Sequence, residues 1–422
     1  MTNIQRILLI LGLILAGEAI FALPFHLGRF FRPTMLEMFD LTATQLGAAQ
    51  AVYGIVAMLA YFPGGLLADR FPAYKLMSLS LWITAFIGLY MSTFPNEIEL
   101  MFLFGFFGFS TILLFWGALI RTTREWGSKS EQGLAFGLLE GGRGLLAVLL
   151  ASLGVLLFQV SFPLGYDTAN FTEKQNIFRI VILGYSLVTA LIGIYIWFVF
   201  RKVSHEKIIT KEKAFGKQLV NNIKYIFSKP SVWLQSIIVL CAYVGFKGFD
   251  NYSLYAVDIY GYNDIEAAEL ITLGSWVRPV AAITIGLLAD RFHVLRMLCI
   301  CFLILLSVDS YLAFTTPNIN LTWVLLVNVL LTCIAIFGLR SLYFAIFEET
   351  NLSLKATGSA VGIVSMIGFT PDVFVLFIAG LLIDGSPGIE GHQHFFLFLT
   401  VFAVIGFIAS IILSMIASKE PK

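Results

Sequence analysis

Long uninterrupted apolar runs dominate the chain, and the polar residues collect in short intervals between them. The runs lie at roughly 7–31, 43–67, 75–94, 99–120, 132–160, 177–200, 232–257, 266–289, 295–314, 321–339, 356–383 and 395–417. A helix of ~20 residues crosses the hydrocarbon layer of a bilayer, so the pattern predicts twelve spanning helices. The intervals are short except for 201–231, which divides the chain into two sets of six. The first run carries Glu18 in its middle and has no small-x-small cleavage site, which marks a retained helix rather than a signal peptide.

Composition narrows the class further. Hydrophobic residues fill 59% of the 422 positions and charged residues 13%, against about 45–50% and 25% in soluble domains. So few charges cannot cover the surface of a water-soluble globule of this length. A net charge of +1 supplies neither a basic face for nucleic acid nor an acidic tail. Cys241, Cys299, Cys301 and Cys333 all fall inside apolar runs, where they read as small buried hydrophobes. No CxxC pair, His-rich cluster, GxSxG or HExxH motif occurs, so no metal, cofactor or enzymatic centre is expected.

The cations predict orientation. The 201–231 interval holds Arg201, Lys202, Lys207, Lys211, Lys213, Lys217, Lys224 and Lys229 against Glu206 and Glu212. Loops rich in Lys and Arg stay cytoplasmic. Placing this interval and both termini there puts 20 of the 27 cations on one side, with Arg29, Arg32, Lys174 and Arg179 opposite and Arg143, Lys247 and Arg278 inside helices. The expected organisation is an all-α integral membrane protein: an N-terminal six-helix bundle at 1–200, a cytoplasmic basic linker at 201–231 and a C-terminal six-helix bundle at 232–422.

The two halves share a marker. Gly65-Leu66-Leu67-Ala68-Asp69-Arg70-Phe71, at the end of the second run, recurs identically as Gly286-Leu287-Leu288-Ala289-Asp290-Arg291-Phe292 at the end of the eighth, 221 residues later. Identity over seven residues at equivalent places is the mark of a duplicated fold. With Lys75 and Arg296 beyond them, these segments resemble the loop signature Gly-x-Leu-Ala-Asp-Arg-x-Gly-Arg-Arg of the major facilitator superfamily. The chain departs from it where Pro72 and His293 stand at the second glycine and Ala73 and Val294 at the following cation. Ser130-Glu131-Gln132-Gly133 through Phe136-Gly137, Glu140 and Gly142-Arg143-Gly144 are similar to the YihN-like group, near the organic-anion and sugar-phosphate branch of that superfamily. The resemblance implies twelve helices in two parallel-repeat bundles, alternating access around a midplane site, and a bacterial inner membrane with both termini cytoplasmic. Gly65, Asp69, Arg70, Gly286, Asp290 and Arg291 are then the gating candidates, with Arg121, Arg124 and Arg340 as partners on the same side. A solvated turn that anchors topology would carry the same residues.

Ionisable residues at membrane depth cost at least about 2.5–3.5 kcal/mol each at a helix centre. At 1.5 Å of rise per residue, Glu18, Arg143 and Arg278 each lie about 18 Å from the nearest cytoplasmic charge, near the bilayer midplane. Glu140 with Arg143, and Lys247 with Asp250, are three apart and share a helix face. Arg278, beside Pro279, has no carboxylate within a turn and should attract one from another helix or an anionic substrate. Substrate contact is therefore assigned to Arg278, Arg143 and Lys247, with Tyr243 and Trp276 as stacking or hydrogen-bonding neighbours. A carboxyl that gains and loses a proton as its surroundings change suits coupling, which singles out Glu18, Glu140 and Asp372. Gly133, Gly137 and Gly141, like Gly358 and Gly362, have the spacing of close helix packing.

The expected protein is a monomeric secondary transporter, embedded in membrane lipid, that moves a small organic anion by symport with protons, sodium remaining open as the ion. Efflux of amphiphilic compounds against protons is the alternative within transport. A non-transporting membrane sensor of the same fold is the alternative outside it.

Overall fold

In the computed structural model, residues 3–127, 132–163, 165–201, 228–319, 321–343, 346, 357–386 and 388–417 are described. The bulk of the predicted linker, Glu131, the side chains of Asp69 and Asp290 and the surroundings of Gly133, Gly358 and Gly362 lie outside them. Among the described residues every regular element is a helix. Eleven helices are long and apolar enough to cross a membrane, and the pair Asn3–Ala19 and Ala22–Phe30, bent by 40°, makes up to twelve if it forms one span.

We number these α1 (Asn3–Ala19 with Ala22–Phe30), α2 (Ala43–Arg70), α3 (Ala73–Met91), α4 (Glu97–Trp126), α5 (Gln132–Ser161) and α6 (Phe171–Arg201). The second set is α7 (Pro230–Tyr260), α8 (Asp264–Ala289), α9 (Val294–Phe314), α10 (Thr322–Leu342), α11 (Ile363–Gly385) and α12 (Ile389–Ala417). Local sequence starts several of them. Thr42 with Gln45, Asn96 with Glu99 and Asn263 with Glu266 form reciprocal capping boxes at the heads of α2, α4 and α8. Asn170 and Glu173 exchange the same pair of bonds at α6. Each box satisfies two amide donors that a helix start leaves open.

Among the described residues five spans are interrupted; α4 carries the π-helical stretch Phe109–Trp116, which holds no ionisable residue, and at the other four an ionisable residue sits at the interruption. A π-helical turn, Ala22–His26, holds Pro24 and follows Glu18 in α1. The 3-10 turn Phe249–Asn251 breaks α7 at Asp250. The helix of α8 stops at Ser275 and restarts at Val277, next to Arg278. In α11 it stops at Gly368 and restarts at Pro371, next to Asp372. Irregular backbone inside a membrane must be satisfied by protein or face a cavity, so breaks of this kind mark working regions in transporters.

The chain groups into two compact units. The first contains Met1–Ile209, Asp250–Pro279 and Leu376–Gly380. Its core is built from the inward faces of α1, α3, α4, α5 and α6, including Leu13, Leu81, Phe115, Leu119, Leu139 and Ile196. Within it, α2 and α11 touch backbone to backbone. A Cβ added at Gly47 would stand 2.3 Å from the Leu376 carbonyl oxygen, and one at Gly380 would stand 2.4 Å from Thr44 Cα. The glycine ladder of α5 does something else: a Cβ at Gly137 or Gly141 would meet nothing within 4 Å among the described residues. Spacing alone pointed to close packing there, but packing also needs a partner surface on that face. The second unit contains Thr210–Phe249, Val280–Val375 and Leu381–Lys422. Within it α9 packs along α10 and α12, and the first part of α7 along α12.

Candidate functional site

Glu18, Glu140, Arg143 and Arg278 meet in the first unit. Glu18 ends the regular part of α1 and is 3% exposed. Its Oε2 accepts a hydrogen bond from Arg143 Nε at 3.0 Å, and its Oε1 lies 3.4 Å from Arg278 Nη1. The same Oε1 is 3.1 Å from His26 Nε2. Arg143 also donates to the Gly17 carbonyl at 2.9 Å and, through Nη1, to Glu140 Oε1 at 2.5 Å. Arg278 Nη2 stands 3.7 Å from Glu140 Oε2. Two guanidiniums from two helices thus share two carboxylates, and the cluster balances with His26 neutral.

Small residues make this convergence possible. A Cβ at Gly17 would lie 3.1 Å from Arg143 Cδ, and one at Gly144 would lie 3.0 Å from Arg278 Nε. The Arg143 guanidinium also rests 5.6 Å from the Phe21 ring centre and 5.9 Å from that of Trp116, a cation–π environment. Exposure separates the two carboxylates. The Glu18 side chain is 4% exposed, the Glu140 side chain 49%. Glu140 is half-exposed while gripped by both arginines.

Arg278 therefore has its carboxylates, brought by helices far off in sequence. Asp250, in the 3-10 turn Phe249–Asn251, accepts a hydrogen bond from Arg29 Nε at 2.5 Å. Lys247 belongs to a second cluster, in the other unit. Its Nζ lies 3.3 Å from Asp372 Oδ1, and the Tyr243 hydroxyl is 3.1 Å from both Asp372 oxygens. Arg340 lies 3.9 Å from the Phe246 ring centre in that unit. Trp276, at the break of α8, is 41% exposed.

Around the repeated loops, Arg70 and Arg291 are exposed, and Arg291 stands 5.5 Å from the Phe292 ring. A Cβ at Gly65 or Gly286 would have open space around it among the described residues, so neither glycine makes the close approach its motif suggests. Arg121 Nη1 does reach this region, donating to the Ala68 carbonyl at 2.5 Å.

Asp250–Pro279 is tied to the first six spans by further polar contacts. Thr34 donates to Asp264 Oδ2 at 2.7 Å and Tyr166 to the same oxygen at 3.1 Å. Gln159 donates to Glu269. Lys174 sits 3.8 Å from Glu37 and 4.1 Å from the Tyr166 ring centre. Partial burial pushes the Glu37 carboxyl above the usual range, Lys174 pulls it down and Asp264 adds to the rise. A carboxyl raised in the folded state contributes stability below its unfolded pKa of about 4.3 and loses it as pH climbs through the folded value. Glu37→Gln is accordingly expected to raise the apparent melting temperature at neutral pH, the gain vanishing in acid. Thermal unfolding at both pH values checks this, and a gain equal at both would contradict it.

The assigned site residues include neither His26 nor Phe21, although the first run offers His26 and Arg29 toward its outer end. The available signal was a histidine in an apolar run, two residues past a proline and eight past a buried glutamate.

Comparison with known proteins places this geometry in context. The family model of the Major Facilitator Superfamily matches residues 7–370. Inner membrane protein YihN of Escherichia coli (strain K12) is 26% identical over 426 residues, spanning 97% of this chain and 96% of that protein. The probable nitrate transporter NarT of Staphylococcus haemolyticus is 25% identical over 301 residues, 67% of this chain and 65% of that one. A bacterial homolog to the human lysosomal transporter Spinster, solved in an inward-facing and unoccupied conformation, superposes with a TM-score of 0.77 at 15% identity over 100% of both chains.

Proposed function

The chain belongs to the Major Facilitator Superfamily, and from that premise we propose that it carries a small organic anion across the membrane by alternating access, in symport with protons. One observation supports the reading: two arginines converge on a half-exposed carboxylate, Glu140, and on a second, Glu18, that is buried. Glu140 occupies the place of an anionic substrate. Arg143 and Arg278 offer the planar fork that suits carboxylate, phosphate or sulfonate. An anion that displaces Glu140 leaves the cluster one negative charge in excess, so desolvated binding favours a proton arriving with it. The name of NarT, a relative described as carrying an anion, points the same way.

The rest of the machinery follows from this reading. Residues 1–200 and 232–422 are the two moving bundles, joined by the basic linker 201–231. The repeated Asp-Arg loops act as latches on the cytoplasmic side, with both termini on that side of a bacterial inner membrane. Asp372, held by Lys247 and Tyr243, is the coupling candidate of the other unit.

The test is thermal stabilisation of the purified protein by gluconate, glycerol 3-phosphate, methanesulfonate and neutral sugars, since specific binding raises apparent stability by mass action. Anions are expected to stabilise and neutral sugars not. Stabilisation only by neutral or cationic amphiphiles would replace this reading with efflux. Glu140→Gln removes the resident competitor and is expected to tighten anion binding about tenfold at pH 8, the worth of one charged hydrogen bond. Unchanged affinity in a titration would mean that Glu140 does not occupy the anion's place.

A further inference from the structure

His26 has no part in the charge balance drawn so far. It lies eight residues beyond Glu18 on α1 and is 4% exposed. The π-helical turn Ala22–His26 brings its ring back over Glu18, with Nε2 3.1 Å from Oε1. Its other ring nitrogen, Nδ1, is buried and makes no hydrogen bond among the described residues. The charged groups around this turn are Glu18 and Arg29 on α1, Glu140 and Arg143 on α5 and Arg278 on α8. Arg29 is engaged by Asp250. From α6 comes Thr189, bonded to the Ala19 carbonyl, and a turn away Tyr185, bonded to the Leu150 carbonyl. From α2, Tyr53 packs edge-on against Phe25.

An ionised Glu18 can only accept, so Nε2 carries the hydrogen in its bond with His26. Nδ1 then holds the free lone pair, and a proton can be added there without breaking the contact with Glu18. Both oxygens of Glu18 are already engaged, Oε2 by Arg143 and Oε1 by Arg278 and His26. Protonating Glu140 would leave both arginines bound to Glu18. Histidine is the side chain whose charge normally changes between about pH 5 and 8.

We infer that His26 takes the coupling proton of this transporter, an assignment that rests on the anion-symport reading above. Hydronium gives its proton to Nδ1 and leaves as water. The imidazolium pairs with Glu18, and the hold of Glu18 on Arg143 and Arg278 loosens as the anion takes them from Glu140. Three cationic groups then face Glu18, Glu140 and a monovalent anion, and the charges balance again.

The experiment uses the full chain in detergent with a pH-sensitive dye, to which gluconate or methanesulfonate is added. Wild type is expected to take up about one proton per bound monovalent anion. His26→Gln keeps a donor toward Glu18, so it should bind the same anion with no proton uptake. In proteoliposomes a pH gradient should no longer drive its accumulation, while exchange persists. Equal uptake by wild type and His26→Gln overturns the inference and leaves the anion site standing. If neither anion stabilises wild type, the anion reading falls, and nitrogen-15 histidine spectra judge His26 alone. The resonance missing in His26→Gln, or in His26→Asn should that variant fold better, is expected to show Nδ1 gaining a proton as the sample is acidified. Its failure to do so overturns the inference.

Discussion

Arg278→Ala is expected to abolish the stabilisation of the protein by anions, weakening binding by about two orders of magnitude. A charge-assisted hydrogen bond is worth about 1.5–3 kcal/mol, and a fork that binds through two nitrogens sits at the upper end. The fold should survive the change, because Glu18 keeps Arg143 at 3.0 Å and His26 at 3.1 Å. Arg143→Ala is a different experiment. It removes the closest cation from a buried carboxylate, and breaking a buried pair from one side costs about 3–5 kcal/mol of stability. Arg278→Lys, which keeps the charge and loses the fork, should fall between wild type and Arg278→Ala. The measurement is apparent melting temperature against concentration of the best-stabilising anion. A variant lacking Arg278 that binds that anion as wild type does would remove the two-arginine site from the mechanism.

Gly47→Ala and Gly380→Ala should each cost about 1–3 kcal/mol, enough to lower the melting temperature by several degrees. The new methyl group would stand 2.3 Å from the Leu376 carbonyl oxygen in one case and 2.4 Å from Thr44 Cα in the other. Both obstacles are backbone, so no side chain can swing away, and α2 and α11 must move apart. Gly137→Ala is the control. Its methyl would meet nothing within 4 Å among the described residues, and alanine's better helix propensity predicts no loss. Equal melting temperatures for all three variants would show that the contact between α2 and α11 contributes no packing constraint. On the alternating-access proposal the Gly47 and Gly380 variants should also transport more slowly, because they disfavour one of the two states.

Much of this molecule was legible along the chain. Span number and the duplicated GLLADRF segment rest on hydropathy and repetition, which neighbouring residues express without reference to the fold. The heights of Glu18, Arg143 and Arg278 along their helices follow from the chain too, since helical rise converts residue number into distance. Pro24, Pro279 and Pro371 each lie within a few residues of an interruption in α1, α8 or α11, as a residue that cannot complete the helical ladder should.

Partnership was not legible. Lys247 meets Asp372 and Asp250 meets Arg29, partners that helical spacing does not name. Gly137 and Gly141 satisfy the spacing rule for helix packing, yet the backbones meet at Gly47 and Gly380. Height along a helix and the choice of which residues stay in the membrane follow from local sequence, because bilayer and helix impose them on every segment alike. Which arginine meets which carboxylate was decided by the tertiary structure alone: Glu18 lies 125 residues from Arg143 and 260 from Arg278, and only the rotation and bending of packed helices brings such charges within reach.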